Sequence, residues 1–460
     1  MSGAQSRRAF LRSAASLGAA LGVLGRSGLA LRRGDGPVEA LGPLVPDPAG
    51  IFDLPRGFEY RVFSRAGDEM DDGLLVPARH DGMAAFPGPG GRTLLVRNHE
   101  NAAGEGGAFG PGNARLAHVA AGKLYDPADG KVACLGGTTT LVYDTASQKL
   151  ERHWLSLGGT LVNCSGGPTP WGSWISCEEI VVGAGDVLRK EHGYCFEVPA
   201  GAEGLQPAVP LTALGRFKHE AVAVEPLSGC LYLTEDMPDG LFYRFIPKSP
   251  GRLAEGGKLQ ALRVRAAESL DTRNWQALTH VPAGEPLAVD WVDLDAIDAP
   301  LDDLRQRGFL AGAARFARGE GVYCAGGSIW FTCTTGGAAK LGQLWRYTPS
   351  PLEGTRKERE ASAQLALFLE PAESSVMENC DNLCAAPWGH LVVCEDGPEF
   401  DRLLGVTLEG TVYELGRNAA HEGEVAGCTF SPDGSTLFVN VQDSGLSLAI
   451  TGPWERARAV

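Results

Sequence analysis

No G-x-S-x-G elbow, no H-E-x-x-H motif, no glycine-rich phosphate loop and no E-x-x-H pair occurs in the 460-residue chain. Serine hydrolases of the elbow type, zincins, P-loop enzymes and di-iron bundles are thereby excluded as templates. The eleven cysteines include no tight CxxC pair, which removes zinc ribbons and iron–sulfur binding, and their odd number leaves at least one thiol unpaired. No segment reaches the roughly 18 apolar residues of a membrane helix, so no stable membrane anchor is expected. Basic charge is also scarce, with 41 Lys and Arg against 56 Asp and Glu, a net of −15. Six arginines fall within the first 33 residues, which hold no acid, so the remainder carries 35 basic against 56 acidic residues, a net of −21. Such a surface repels phosphodiester backbones, and nucleic acid is not an expected partner.

What is present is punctuation. There are 62 Gly and 29 Pro, while 44% of residues are hydrophobic. A large core made of many short strands joined by tight turns fits both facts. At the N-terminus, Ser6-Arg7-Arg8-Ala9-Phe10-Leu11-Arg12 precedes a weakly apolar stretch from Ala14 to Gly25, then Gly28-Leu29-Ala30. That is the pattern of a twin-arginine (Tat) signal peptide over residues 1–30, engaging the Tat export machinery. The expected product is periplasmic or secreted, with a linker over 31–50 and a single domain over 51–457.

One unit recurs six times: polar residues, an apolar strand, a glycine turn and a second strand that ends in polar or acidic residues. The turn glycines are Gly91, Gly172, Gly229, Gly327, Gly389 and Gly434. In an antiparallel hairpin the start of the first strand and the end of the second share one end of the sheet. Six such sheets set radially would aim their polar ends at one axis, so the expected fold is an all-β, six-bladed β-propeller with inserts and a short helix. Gly251 to Leu287 reads as an insert, Pro300 to Arg318 as a helix, and Pro349 to Glu360 as an exposed charged loop.

Acids converging on a dry axis need cations. Asp81, Glu100, Glu178, Glu179, Glu220, Glu235, Asp236, Glu320, Asp381, Glu395 and Asp396 all lie at hairpin ends and suit calcium, which takes six to eight oxygen ligands. Cys177 beside Glu178 and Glu179 is unusual there, because a soft thiolate among carboxylates points to a transition metal, although a buried inert thiol is the plainer alternative. Arg318 stands two residues from Glu320, where it could clamp a phosphate or pair with a carboxylate.

Several longer stretches resemble the PhoX-type alkaline phosphatases: Gly136 to Val142, Asn163-Cys164-Ser165-Gly166-Gly167-Pro168-Thr169-Pro170-Trp171-Gly172, Ser176-Cys177-Glu178-Glu179, Phe217-Lys218-His219-Glu220, Leu233-Thr234-Glu235-Asp236, and Phe430 to Trp454. The resemblance implies a Tat-exported hydrolase of phosphate monoesters with calcium ions and a ferric pair at the centre. It also implies Cys177 as the iron thiolate, Glu100, Glu178 and Glu220 as cluster carboxylates, and Asn163 near phosphate and calcium. Arg318 and Glu320 match the family's Arg-x-Glu pair, with Arg318 on substrate oxygens and Glu320 on metal. The implied reaction is calcium- and iron-assisted attack of a metal-held oxygen on phosphorus. Gly319 and Cys380 depart from the family pattern, which has proline at both. The alternatives are a calcium-dependent propeller lactonase or esterase, and a non-catalytic calcium-stabilised propeller that binds a ligand.

Overall fold

The computed structural model describes residues 40–460 apart from 105, 121, 128–133, 277–279, 399 and 421–422. The twin-arginine segment lies outside the described residues. The chain is all-β with few helices. Two short ones stand among the described residues, α1 (Leu304–Leu310) and α2 (Trp454–Arg458).

Six hairpins form where the repeated unit falls. They pair His80–Pro87 with Thr93–His99, Asn163–Pro168 with Ser173–Glu178, and His219–Val224 with Leu231–Glu235. The other three pair Gly319–Ala325 with Ser328–Cys333, Cys380–Ala385 with Leu391–Glu395, and Val425–Phe430 with Thr436–Val441. All six turn glycines have φ between +72° and +96°, a region in which a Cβ is strained, which is why glycine marks each turn. The first strands of successive hairpins pack side by side, and that of the last packs against that of the first. The arrangement is propeller-like.

Strand pairing does not give six separate sheets. Four stand alone, carrying the first, second, fifth and sixth hairpins, with four, three, six and four strands. The third and fourth hairpins share one nine-stranded sheet, because Leu287–Asp293 pairs with Gly257–Val264 on one side and Ala363–Leu369 on the other. Gly257–Val264 is therefore a sheet strand rather than part of an insert. The helix expected from Pro300 to Arg318 is confined to α1, and Arg315–Phe316 pairs as a strand with Gly240–Leu241. Glu353, expected in an exposed loop, is buried against Arg244. Within the expected linker, Leu44–Val45 pairs with Phe52–Pro55. The chain closes on itself where Glu59–Arg65 pairs with Leu446–Thr451 near the C-terminus. All eleven thiols are free.

The second and third hairpins meet with almost no space between their backbones. A Cβ at Gly167 would stand 1.6 Å from the Val222 carbonyl oxygen. Backbone cannot yield as a flexible side chain does, so Gly167→Ala is expected to cost more than about 4 kcal/mol. Urea unfolding measures it, and a cost below about 1 kcal/mol would show that the two strands do not meet this closely.

Candidate metal centre

Each hairpin breaks register near the start of its first strand, after one residue in five hairpins and after two in the sixth. The shifts fall between His80 and Met83, Asn163 and Gly166, His219 and Val222, Gly319 and Val322, Cys380 and Leu383, and Ala426 and Thr429. A β-bulge re-aims the side chain it carries. The residues entering the six bulges are Asp81, Cys164, Glu220, Glu320, Asp381 and Gly427. Four carboxylates and one thiol thus converge at one end of the ring. At the sixth position a Cβ on Gly427 would lie 2.3 Å from the Asp81 carbonyl oxygen, so no side chain fits.

The residues just past the second strands add a second tier. Glu100, Glu179 and Asp396 line a cavity of about 520 Å³ together with Cys164, Glu320, Asp381, Glu424, Arg79 and Arg318. Glu220, Glu320 and Asp381 bring carboxylate oxygens within 4.8 Å of one another, and Glu100, Cys164 and Glu179 do the same with two carboxylates and a sulfur. The Cys164 thiol donates to Glu220 Oε1 at 3.3 Å, joining the two groups. Gln442 Nε2 donates to Asp81 Oδ2, Glu100 Oε2 and Glu424 Oε2 at 2.7, 3.0 and 3.0 Å.

Burial, followed by mutual repulsion, pushes Asp81, Glu220, Glu320 and Glu424 far above the usual carboxylate range. Burial and neighbouring Asp236 bring Glu179 to about 8, and burial brings Asp381 to about 6. Among the described residues, Glu220 Oε2 and Glu424 Oε1 are buried without a hydrogen-bond partner. Orphaned oxygens among crowded acids are what a set of cation ligands presents before its cations arrive, so the residues fit oxygen-seeking metals with one thiolate-bound position.

Two arginines face this cavity from opposite sides of the ring. Arg318 donates from Nε to Asp236 Oδ1 at 2.6 Å and from Nη2 to Glu320 Oε1 at 2.8 Å. Arg79 reaches Glu100 Oε2 at 3.2 Å and Asp443 Oδ1 at 3.1 Å. Each precedes a bulged hairpin and holds a left-handed backbone, φ +54° for Arg318 and +48° for Arg79. Such positions cost about 1–3 kcal/mol and concentrate at functional sites. Gly319 in place of proline leaves Arg318 aimed at the cavity.

Four residues expected at the site lie elsewhere. Cys177 sits in the apolar core with Ile175 and Phe217, its sulfur 3.6 Å from Cys195 Sγ; the thiol at the cluster is Cys164. Glu178 turns outward, accepting from His192 Nδ1 at 2.7 Å and the Gly193 amide at 2.8 Å, and leaves the cavity to Glu179. Glu395 turns outward to Arg402, whose Nε donates to it at 2.6 Å, and leaves the cavity to Asp396. Asn163 accepts from Thr160 Oγ1 at 2.6 Å and donates to Ser176 Oγ at 2.9 Å, between the first and second sheets. For the two displaced glutamates the reason is the strand period of two: in each terminal pair of acids the first points away from the axis and the second toward it. Glu100, Glu220, Asp236, Glu320 and Asp381 are brought together with Arg318. Asp81, Glu179 and Asp396, further candidate acids, are brought there too, whereas Arg79, Cys164, Glu424 and Gln442 were not expected from sequence. Aligning the hairpins on the residue after His80, Asn163, His219, Gly319 and Cys380 puts Cys164 in a column of acids, which is the signal that finds it.

The Glu395–Arg402 pair is nearly dry, with side chains 2% and 12% exposed. Glu395→Ala strands the guanidinium and is expected to cost about 3–5 kcal/mol in denaturant unfolding, with metal content unchanged. Loss of bound metal without loss of stability would make Glu395 a ligand instead.

Fold and site together define a metal-dependent enzyme on a propeller-like β scaffold. A model of the alkaline phosphatase PhoX family matches residues 40–445, and the chain belongs to that family, whose members are phosphoric monoester hydrolases. Among solved structures, PhoX of Pseudomonas fluorescens in complex with vanadate, a transition state analogue, is similar in fold. It has a TM-score of 0.65 and 18% identity over 91% of this chain and 97% of that one. A gluconolactonase from Xanthomonas campestris is more distant, at a TM-score of 0.41 and 11% identity over 90% of this chain and 98% of that one, and carries no weight here. A comparison with curated proteins gives no match.

Proposed function

We propose that the chain is an exported phosphomonoesterase whose axial cavity holds calcium ions and an iron pair, with Cys164 as the iron thiolate. The single observation that carries this is the ring of bulges, which delivers four carboxylates and one thiol to the same end of the fold. Glu220, Glu320, Asp381 and Asp81 would supply hard oxygens for calcium, while Cys164 with Glu100 and Glu179 offers the mixed set that iron accepts. When bound, these cations would neutralise phosphate oxygens and activate water as a nucleophile.

The chain's own contribution is positioning. Asp236 and Glu320 hold the Arg318 fork toward the cavity before substrate arrives, so little reorganisation is needed to meet two phosphate oxygens. Arg79 offers a second cation from the facing wall. Neither serine nor histidine lines this cavity among the described residues. The vanadate bound by the similar Pseudomonas protein supports an oxyanion of phosphate geometry as ligand. Six inner hairpins packed in a ring support a six-bladed reading, with the nine-stranded sheet as two blades joined through Leu287–Asp293. Export by the Tat route rests on the twin-arginine segment from Ser6 to Arg12. No helix among the described residues is long and apolar enough to cross a membrane.

The test is hydrolysis of an aryl phosphate at alkaline pH by exported protein, with calcium and after chelation. Turnover that is lost on chelation and returns with calcium is the expected result. No turnover from folded protein loaded with calcium and iron would overturn the assignment.

A further inference from the structure

A second group of metal-ligating side chains lies outside the axial cavity, where the connection between Thr93–His99 and Gly136–Asp144 of the first sheet packs against the exit of the second hairpin. Asp126, Cys134 and His192 are all buried, at 0%, 1% and 0% exposure. One oxygen, one sulfur and one nitrogen from these residues lie within 4.8 Å of one another. His192 Nε2 is 3.4 Å from Asp126 Oδ2 and 4.0 Å from Cys134 Sγ. These are long for hydrogen bonds and close to the edges of a tetrahedron around an ion with bonds of about 2.0–2.3 Å.

The other face of the same imidazole is fixed. Glu178 Oε1 is 2.7 Å from His192 Nδ1, and the carboxylate is itself held by the amides of Leu161, Gly193 and Tyr194. A carboxylate on Nδ1 sets the tautomer, keeps the proton there and leaves the Nε2 lone pair facing Cys134 and Asp126. That carboxylate–histidine arrangement is how proteins orient a metal-binding imidazole. Asp126 is oriented as well, since the amides of Arg189 and Lys190 donate to its Oδ2 at 2.7 and 2.9 Å.

We propose that Asp126, Cys134 and His192 supply three of the four ligands of a transition-metal site, filled by zinc, with Glu178 as the carboxylate that orients His192. A sulfur–nitrogen–oxygen donor set selects zinc over calcium, which takes oxygen alone. Binding releases the Cys134 thiol proton, so it weakens as pH falls. Its structural consequence is a staple between the segment before Gly136–Asp144 and the strand end carrying Glu178, whose neighbour Glu179 lines the axial cavity.

The test uses exported full-length protein and three variants, Cys134→Ser, Cys164→Ser and Glu178→Gln, with zinc content measured by mass spectrometry after dialysis. The expected result is one equivalent of zinc in the wild type and in Cys164→Ser, and loss of that equivalent in Cys134→Ser. Glu178→Gln is expected to retain the fold and bind zinc about 10–100-fold more weakly. Should Cys134→Ser fail to fold, zinc-edge X-ray absorption on Cys164→Ser decides, with one zinc–sulfur bond near 2.3 Å expected. An oxygen-only shell, equal zinc in wild type and Cys134→Ser, or zinc lost from Cys164→Ser instead, would each overturn the proposal.

Discussion

Cys164→Ala is expected to abolish phosphatase turnover and remove iron, while Cys177→Ala leaves both in place. The two thiols stand in the same hairpin, 13 positions apart in sequence, and their environments decide the contrast. Cys164 enters the bulge, so its sulfur faces Glu220 at 3.3 Å and groups with Glu100 and Glu179. Cys177 is a fully buried neighbour of Cys195, in register across the strand pair and enclosed by Ile175 and Phe217. Losing a metal's only sulfur ligand should reduce turnover by more than about 100-fold, the upper end of what loss of a supporting partner costs. Truncating the Cys177 thiol leaves a small void worth about 1 kcal/mol and no metal defect. Iron content and aryl phosphate hydrolysis, measured side by side on calcium-loaded protein, separate the two. Iron retained in Cys164→Ala but lost in Cys177→Ala would reverse the assignment.

That contrast also shows where reading the sequence stops. Six glycine turns flanked by acid-ended strands are legible because turn chemistry and strand alternation are local. They placed all six hairpins, and with them the common end where Glu100, Glu220, Asp236, Glu320 and Asp381 meet. The bulge is not local in that sense. It depends on how two residues oppose one across a pair, and it turns Cys164 inward and Asn163 away. The same limit explains Glu178 and Glu395, since adjacent acids look alike in sequence although a strand sends them to opposite faces. Arg79 escaped notice because its part depends on Glu100 and Asp443, residues 21 and 364 positions away. The joining of two sheets through Leu287–Asp293 is likewise a long-range pairing that no local pattern announces.

Metal removal should invert the protein's response to pH. The carboxyls of Asp381 and Glu179 sit at about 6 and about 8 in the fold, driven up first by burial and then by neighbouring acids. In the unfolded chain they return to about 4. Groups raised in this way favour the fold when protonated, so their contribution is fully present below about pH 4 and is lost as pH rises to about 8. Between those limits these groups hold more protons in the native state than in the unfolded one, and their contribution to stability falls with increasing pH. Asp381 alone accounts for ~3 kcal/mol of that change, and Glu220 and Glu320, also raised by burial and then by neighbouring acids, act in the same direction. Carboxylates of the opposite kind do not mask it. Burial raises Asp271, but Arg273 and Arg315 hold it at about 2, so it titrates below this window. With cations bound the axial acids stay ionised and their share of the slope should vanish. What then remains is the opposite slope of His80, His99 and His219, whose burial holds them below the ordinary imidazole range, so that stability rises with pH up to about 6.5. The expected result is a urea midpoint that falls in chelated protein relative to calcium- and iron-loaded protein as pH rises from 5 to 8. A gap between the two that stays constant from pH 5 to pH 8 would mean that these acids are not the ones the cations compensate.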